Sequence, residues 1–408
     1  MSSELSLTSA AVVAVVALLA PLVVRLTRLR VPAVVLEILL GIVIGPQVLG
    51  WAHVDTPVRV LSVVGLGFLL LLAGLEIDFD GLRGRTLRLT SAAFVLSFAL
   101  AVATGLVLDA LGLVRSPLLI AVILSATSLG VILPVLKDSG QLGTSFGQVV
   151  VAGASIAEVV PIVLLSLIFS EDAPGLVAQL TLLAAFLAFI VAVGLLILGA
   201  ERSSRISQAL LALQDTTAQI RVRGAMALLM MFVALATTFG LEAILGAFLA
   251  GATLKLLDRD RAMTHTMFHM KLQAIGFGAF VPFFYVSTGM ALDVRSLGDP
   301  STWARVPLFL AALLLARAVP AVMYRPLAQR PGQVVAAGLL QATSLGIPVV
   351  AGAVGVELGV IRPENYVALV AAGLLSVALF PLLALPRLTG PTPSTGPDAQ
   401  RGPRPIGP

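Results

Sequence analysis

One carboxylate, Glu158, sits inside the apolar run Gln148–Leu165, which holds no other charge. At about 1.5 Å of helix rise per residue, the stretch from Gly147 puts it roughly 16 Å deep, about half of a ~30 Å hydrocarbon core. An ionisable group at that depth costs several kcal/mol unless it is protonated, paired or wet, which makes it a functional candidate. Pro161 follows three residues later. It has no N–H and is expected to break the ladder and free the carbonyl of Ala157. With the hydroxyl of Ser155 nearby, these are hard oxygens, suited to a proton or to a monovalent metal cation held at Glu158.

A second set of oxygens comes from a repeat. Ala126-Thr127-Ser128-Leu129-Gly130 recurs as Ala342-Thr343-Ser344-Leu345-Gly346, and each copy is followed by a proline, Pro134 and Pro348. Polar, proline-interrupted apolar segments at matching places in two halves point to a binding site between inverted repeats. The prolines are expected to break both helices and to free the carbonyls of Gly130 and Ser344. Arg317 is the remaining charge inside an apolar segment. Too far from its helix end to reach water easily, it needs Glu158 or the negative end of a broken half-helix as partner. Pro320 behind it is expected to break that helix and add the carbonyl of Ala316. Glu37, Glu76 and Glu242 fall at or near segment ends and read as rim or structural residues. His265 and His269, at i, i+4 spacing, read as a solvated loop face.

The elements that must position these residues are membrane helices. The 408 residues are 58% hydrophobic and 12% charged, with a mean hydropathy of +1.05. A soluble domain of that composition could not wet its surface. About thirteen transmembrane helices are expected, at about 8–27, 32–50, 57–76, 89–111, 117–136, 145–169, 175–199, 224–239, 241–257, 272–292, 303–324, 333–356 and 364–386. The fold class is therefore an all-α polytopic membrane protein. The first segment, with no basic stretch before it and no small-residue cleavage site after it, is not expected to be a cleavable leader, and cysteine is absent. Alternate loops and the tail carry 20 of the 26 Lys and Arg residues, the opposite loops five. The positive-inside rule then sets the N-terminus outside and the C-terminus in the cytoplasm. The connection 201–223 is expected as a surface amphipathic helix. Residues 387–408 read as a disordered tail, too short for a nucleotide-binding domain. The pattern points to no enzyme and no nucleic-acid partner, and the lipid bilayer is the surrounding phase.

Four further motifs occur in order: Pro32-Ala-Val-Val-Leu-Glu-Ile-Leu-Leu-Gly-Ile-Val-Ile-Gly-Pro46, Leu72-Ala-Gly-Leu-Glu-Ile-Asp78, Gly240-Leu-Glu-Ala-Ile-Leu-Gly-Ala-Phe-Leu-Ala-Gly251 and Phe283-Phe-Tyr-Val-Ser-Thr-Gly-Met-Ala-Leu-Asp293. Together they cover nearly all of the membrane part, and the chain resembles the second cation/proton antiporter family of bacterial monovalent-cation exchangers. The resemblance implies two crossed, partly unwound helices, here the fifth and twelfth, in inverted repeats. It implies a core of helices at about 89–169 and 272–356. The remaining helices, about 8–76, 175–257 and 364–386, would form scaffold and dimerisation elements. It further implies a homodimer in a bacterial plasma membrane, with no cofactor beyond the transported sodium or potassium ion and proton. The ion and proton would meet Glu158, Thr127, Ser128, Thr343, Ser344 and Ser155, with Arg317 compensating charge. Members carry Asp-Asp, Asn-Asp or Gln-Asp where this chain has Ala157-Glu158. With one exchangeable carboxylate, the expected exchange is one proton per cation. The alternative is proton-coupled export of a small organic or ion-complexed molecule, which would use a larger, more apolar cavity.

Overall fold

The computed structural model describes residues 7–26, 32–77, 84–168, 176–201, 216, 218–257, 264–292, 300–328 and 330–388, and every regular element among them is helical. In chain order the helices are α1 (Thr8–Leu26), α2 (Ala33–Ile44), α3 (Thr56–Glu76), α4 (Gly84–Ala110), α5 (Pro117–Ser125), α6 (Leu129–Asp138), α7 (Ser145–Ile168) and α8 (Leu176–Glu201). They continue as α9 (Ile220–Thr238), α10 (Ala243–Leu257), α11 (Thr264–Ile275), α12 (Val281–Ala291), α13 (Pro300–Ala318), α14 (Pro331–Gln341), α15 (Gly346–Glu357) and α16 (Pro363–Leu388). A π-helical turn, Gly276–Phe280, joins α11 to α12, and a 3-10 stretch, Pro320–Leu327, follows α13. Among the described residues nine helices are long and apolar enough to cross a membrane and four shorter apolar helices accompany them. Each of the apolar segments read from sequence holds one. Most of the connection read as an amphipathic helix, and the tail from 389, lie outside the described residues.

Local sequence explains where several helices start. The side chain of Asp55 accepts from the Val58 amide at 3.1 Å, and Ser116 accepts from Leu119 at 3.3 Å, each with proline in the first turn that follows. Two apolar segments are interrupted in their middle. Ala126–Ser128 separates α5 from α6, and Ala342–Leu345 separates α14 from α15, at the two copies of Ala-Thr-Ser-Leu-Gly.

The prolines are not the break points. Pro134 lies within α6, Pro348 lies two residues inside α15, and α7 runs through Pro161 without interruption. In the first turn an amide has no helical partner to lose, so Pro348 costs little there. Pro320 does coincide with a change of helix, from α13 to the 3-10 stretch.

The helices fall into two packed sets. In the first, α2 packs on α12 and α3 on α10, and α12 also lies on α3. An added Cβ on Gly41 would meet the Val286 carbonyl oxygen at 2.2 Å, and one on Gly289 would meet that of Ile38 at 2.1 Å. The second pair repeats the arrangement, with Gly74 at 2.2 Å from the Phe248 oxygen and Gly251 at 1.9 Å from that of Leu71. In the second set α16 packs along α13, α14 and α15, while α5 touches α4, α7 and α15. Two placements follow from these contacts. Val281–Ala291 sits with α2 and α3, because Gly289 admits the α2 backbone, and Pro363–Leu388 sits with the broken helices.

Candidate functional site

Glu158 stands on α7, where the second set faces the first. The backbone amide of Leu129, the first residue of α6, faces its carboxyl group. Its Oε2 is sealed from solvent and has no hydrogen-bond partner. The first turn of a helix offers unpaired N–H groups and a partial positive charge, so α6 aims an anion-stabilising end at the one carboxylate of α7.

A cavity of ≈ 980 Å³ opens in front of this pair, and Glu158, Thr127 and Ser128 line one side of it. Glu37, Glu76 and Gln273 line it too. The sequence placed Glu37 and Glu76 at the rim by counting residues from helix ends, but the cavity reaches along α2 and α3 to both. Glu37 is 8% exposed. Glu76 lies over the first turn of α6, its Oε2 3.4 Å from where a Cβ on Gly130 would be. His269 also touches this region, since it is hydrogen-bonded to the cavity-lining Gln273 at 2.9 Å.

Behind the cavity the two interruptions are tied to each other. The Ser128 amide donates to the Thr343 carbonyl at 2.8 Å, and the Leu345 amide donates to Ser128 Oγ at 3.1 Å. The Thr127 amide donates to the carbonyl of Ala157 at 3.2 Å. This last bond corrects the expectation of a free Ala157 ligand: the acceptor that Pro161 vacates is taken by the neighbouring break. Ser344 is held by Ser376, whose hydroxyl accepts from its amide at 3.1 Å and contacts its carbonyl at 3.2 Å. The Ser344 carbonyl, which lies outside both half-helices, is thereby used as well.

Arg317 is 4% exposed and reaches this crossing from α13. Its Nε donates to Thr127 Oγ1 at 2.9 Å and to the Gln341 carbonyl at 3.3 Å. Nη1 donates to Ser97 Oγ at 2.9 Å and Nη2 to Gln341 Oε1 at 2.5 Å. The Phe94 ring lies 5.9 Å from the guanidinium carbon. None of these partners is Glu158 or the Ala316 carbonyl. The acceptor at Gln341 is the C-terminal end of half-helix α14, where the helix carries partial negative charge.

The hydroxyls named from sequence separate into two kinds. Thr127 Oγ1 donates to the Gln341 carbonyl at 2.5 Å while accepting from Arg317, so it is engaged inside the network. Thr343 Oγ1, in the second break, donates only to the Leu339 carbonyl in the last turn of α14, at 3.2 Å. Ser155 Oγ and Ser344 Oγ are buried without a partner. Among the described residues no three His, Cys, Asp or Glu side chains form a ligand group. Sequence reasoning missed Gln341 and Ser97. Gln341 stood one residue before the repeat, the one usable signal; Ser97 had none.

Comparison with known proteins agrees with this architecture. Residues 14–385 match the family model described as sodium/hydrogen exchanger, transmembrane. The chain is 30% identical over 396 residues to YjbQ of Bacillus subtilis, provisionally named an Na(+)/H(+) antiporter, covering 92% of this chain and 62% of that protein. It thus spans less than two thirds of that relative's length. An Na(+)/H(+) antiporter of Enterococcus hirae is 24% identical over 372 residues, covering 87% of this chain and 91% of that one. The Na(+)/H(+)-K(+) antiporter GerN of Bacillus cereus is 26% identical over 298 residues, with 70% and 72% covered. The solved structure of the sodium proton antiporter MjNhaP1 from Methanocaldococcus jannaschii shares the fold, with a TM-score of 0.66 at 17% identity over 94% of this chain and 98% of that one. With the family model spanning nearly every helix of this all-helical, multi-pass membrane protein, the chain belongs to the sodium/hydrogen exchanger family of cation/proton antiporters.

Proposed function

We infer that the protein exchanges a monovalent cation, sodium or potassium, for protons by alternating access, and that Glu158 carries one or the other in turn. The observation that supports this most is the unpartnered Oε2 of Glu158, buried in an apolar helix beside the N-terminus of a half-helix and next to a cavity. A carboxylate there is neutralised by either a proton or a cation, and competition for it couples the two fluxes. Ser155 and Ser344 supply unengaged hydroxyls, and Ser128 lines the cavity beside Glu158. Arginine does not release its proton in proteins, so Arg317 contributes a fixed charge. Both loaded forms of the site then carry the same charge, and exchange is one proton per cation. The basic-residue asymmetry supports an external N-terminus in a bacterial plasma membrane, and the family supports a homodimer.

The deciding experiment is cation-driven proton flux in proteoliposomes with Glu158→Gln, which keeps shape and removes the exchangeable charge. Flux is expected to vanish while the protein stays folded. Flux near the wild-type rate would move the site, with Glu37 and Glu76 next in line. The size of the cavity and its mostly apolar lining favour a second reading, export of a small organic molecule. Wild-type protein whose proton flux ignores sodium, potassium and lithium alike would favour that reading.

A further inference from the structure

We propose that Gln341 is the positioning residue of the site, a neutral clamp that joins the fixed charge of Arg317 to the helix of Glu158. The inference rests on the antiport reading above. Gln341 is 1% exposed. Its carbonyl and its Oε1 supply two of the acceptors that Arg317 uses. Its Nε2 donates to the carbonyl of Val150 on α7 at 2.8 Å. Val150 lies two turns before Glu158 on the same helix. One residue therefore touches α13 and α7 with its side chain, and the Ala126–Ser128 break with its backbone carbonyl.

The amide chemistry is specific. A guanidinium offers only donors and a helix carbonyl offers only an acceptor, so the residue between them must present one oxygen and one N–H. An acid there would satisfy Arg317 and repel the Val150 carbonyl. It would also add a second charge that could titrate. A neutral amide satisfies both partners and leaves Glu158 as the acid that balances Arg317 across the core. The opposing backbone is shaped to admit it: a Cβ on Gly153 would lie 3.0 Å from Gln341 Nε2 and 2.3 Å from Tyr324 Oη.

Gln341→Leu keeps the volume and removes both bonds. Residues that orient a metal's ligands cost about 10–100-fold in affinity when replaced, so the sodium KM is expected to rise at least about tenfold, with Vmax changed less than about threefold. Gln341→Glu keeps the acceptor for Arg317 and should recover part of the KM. Gly153→Ala attacks the clamp from the other side and should raise KM as Gln341→Leu does. A merely structural role would lower the amount of folded protein and leave KM alone. Gln341→Leu with a wild-type KM overturns the proposal. If that variant does not fold, a wild-type KM in both Gln341→Glu and Gly153→Ala overturns it. A wild-type protein without sodium-driven proton flux refutes the antiport reading instead. Hydrogen exchange then tests the clamp alone: faster exchange at the Ser128 and Leu345 amides in Gln341→Glu than in wild type supports it, and equal exchange overturns it.

Discussion

The two threonines of the repeat occupy the same place in two copies of one motif, and replacing each by valine should give unequal results. Thr127 accepts a hydrogen bond from buried Arg317 and donates to the Gln341 carbonyl. Valine keeps the volume and loses both. A hydrogen bond to a charged group contributes about 1.5–3 kcal/mol net, so Thr127→Val is expected to cost about 2 kcal/mol. The empty site can relax once the tether is gone and the cation must restore it, so up to ~30-fold of this appears in the cation KM. Thr343, in the break itself, donates only to the carbonyl four residues back, in the last turn of α14, at 3.2 Å. Such back-bonding stabilises helices little or not at all, so Thr343→Val is expected to stay within about twofold of wild type. The assay is sodium-driven quenching of a pH-sensitive dye in proteoliposomes across a sodium series, with folded yield measured beside it. Equal KM changes in the two variants, or a normal Thr127→Val, would refute the assignment of the Thr127 hydroxyl to the Arg317 network.

Two other outcomes follow from the same geometry. With Glu158 as the only exchanging acid, cation-driven proton flux should be the same at zero and at a negative potential clamped by potassium and valinomycin, although about 2.3 kcal/mol per charge per 100 mV would act on an electrogenic carrier. A rate that climbs with the potential would identify a second titrating group, and Glu76, in the same cavity, is the residue to replace next. Gly251→Ala would put a Cβ 1.9 Å from the Leu71 carbonyl oxygen, whereas Gly67→Ala meets only leucine methyls at 3.8 Å. Overpacking costs about 1–3 kcal/mol, so Gly251→Ala should lower the melting temperature in detergent while Gly67→Ala leaves it unchanged, and equal melting would contradict the close α3–α10 contact.

Glu158 was legible in the sequence because a lone acid in a long apolar run has no cheap explanation. The breaks were legible for a related reason: a Thr-Ser pair mid-segment offers the backbone other partners. What the prolines would do was misread. Their missing N–H predicts breaks, but helix α7 continues through Pro161, and the acceptor it vacates is filled from a segment thirty residues away. Tertiary hydrogen bonds of that kind leave no local pattern. Glu37 and Glu76 were set aside because distance from a helix end was used as a measure of exposure. A cavity that enters between helices breaks that equivalence. Gln341 was hidden for another reason: a glutamine beside a motif looks like any polar residue until its two partners are known. Which helices pack on which, as α12 on α2, depends on which glycines meet which backbone, and no periodicity encodes that.

The glycine contacts among α2, α3, α10 and α12 have a consequence for how such a protein can change over generations. At each of these glycine crossings a main-chain carbonyl stands where a side chain would be, so the contact itself holds no group that titrates and no rotamer that can change. The spacing set there is indifferent to acid, alkali and salt. It is also closed to variation, because at those crossings any side chain is a collision. The other set of helices is fastened by a guanidinium, an amide and several hydroxyls, and one polar network can be exchanged for another of the same size. A new cargo preference would therefore be written in the side chains that line the cavity and in the hydrogen-bonded half, while the glycine crossings stay as the fixed points against which each new version has to fit.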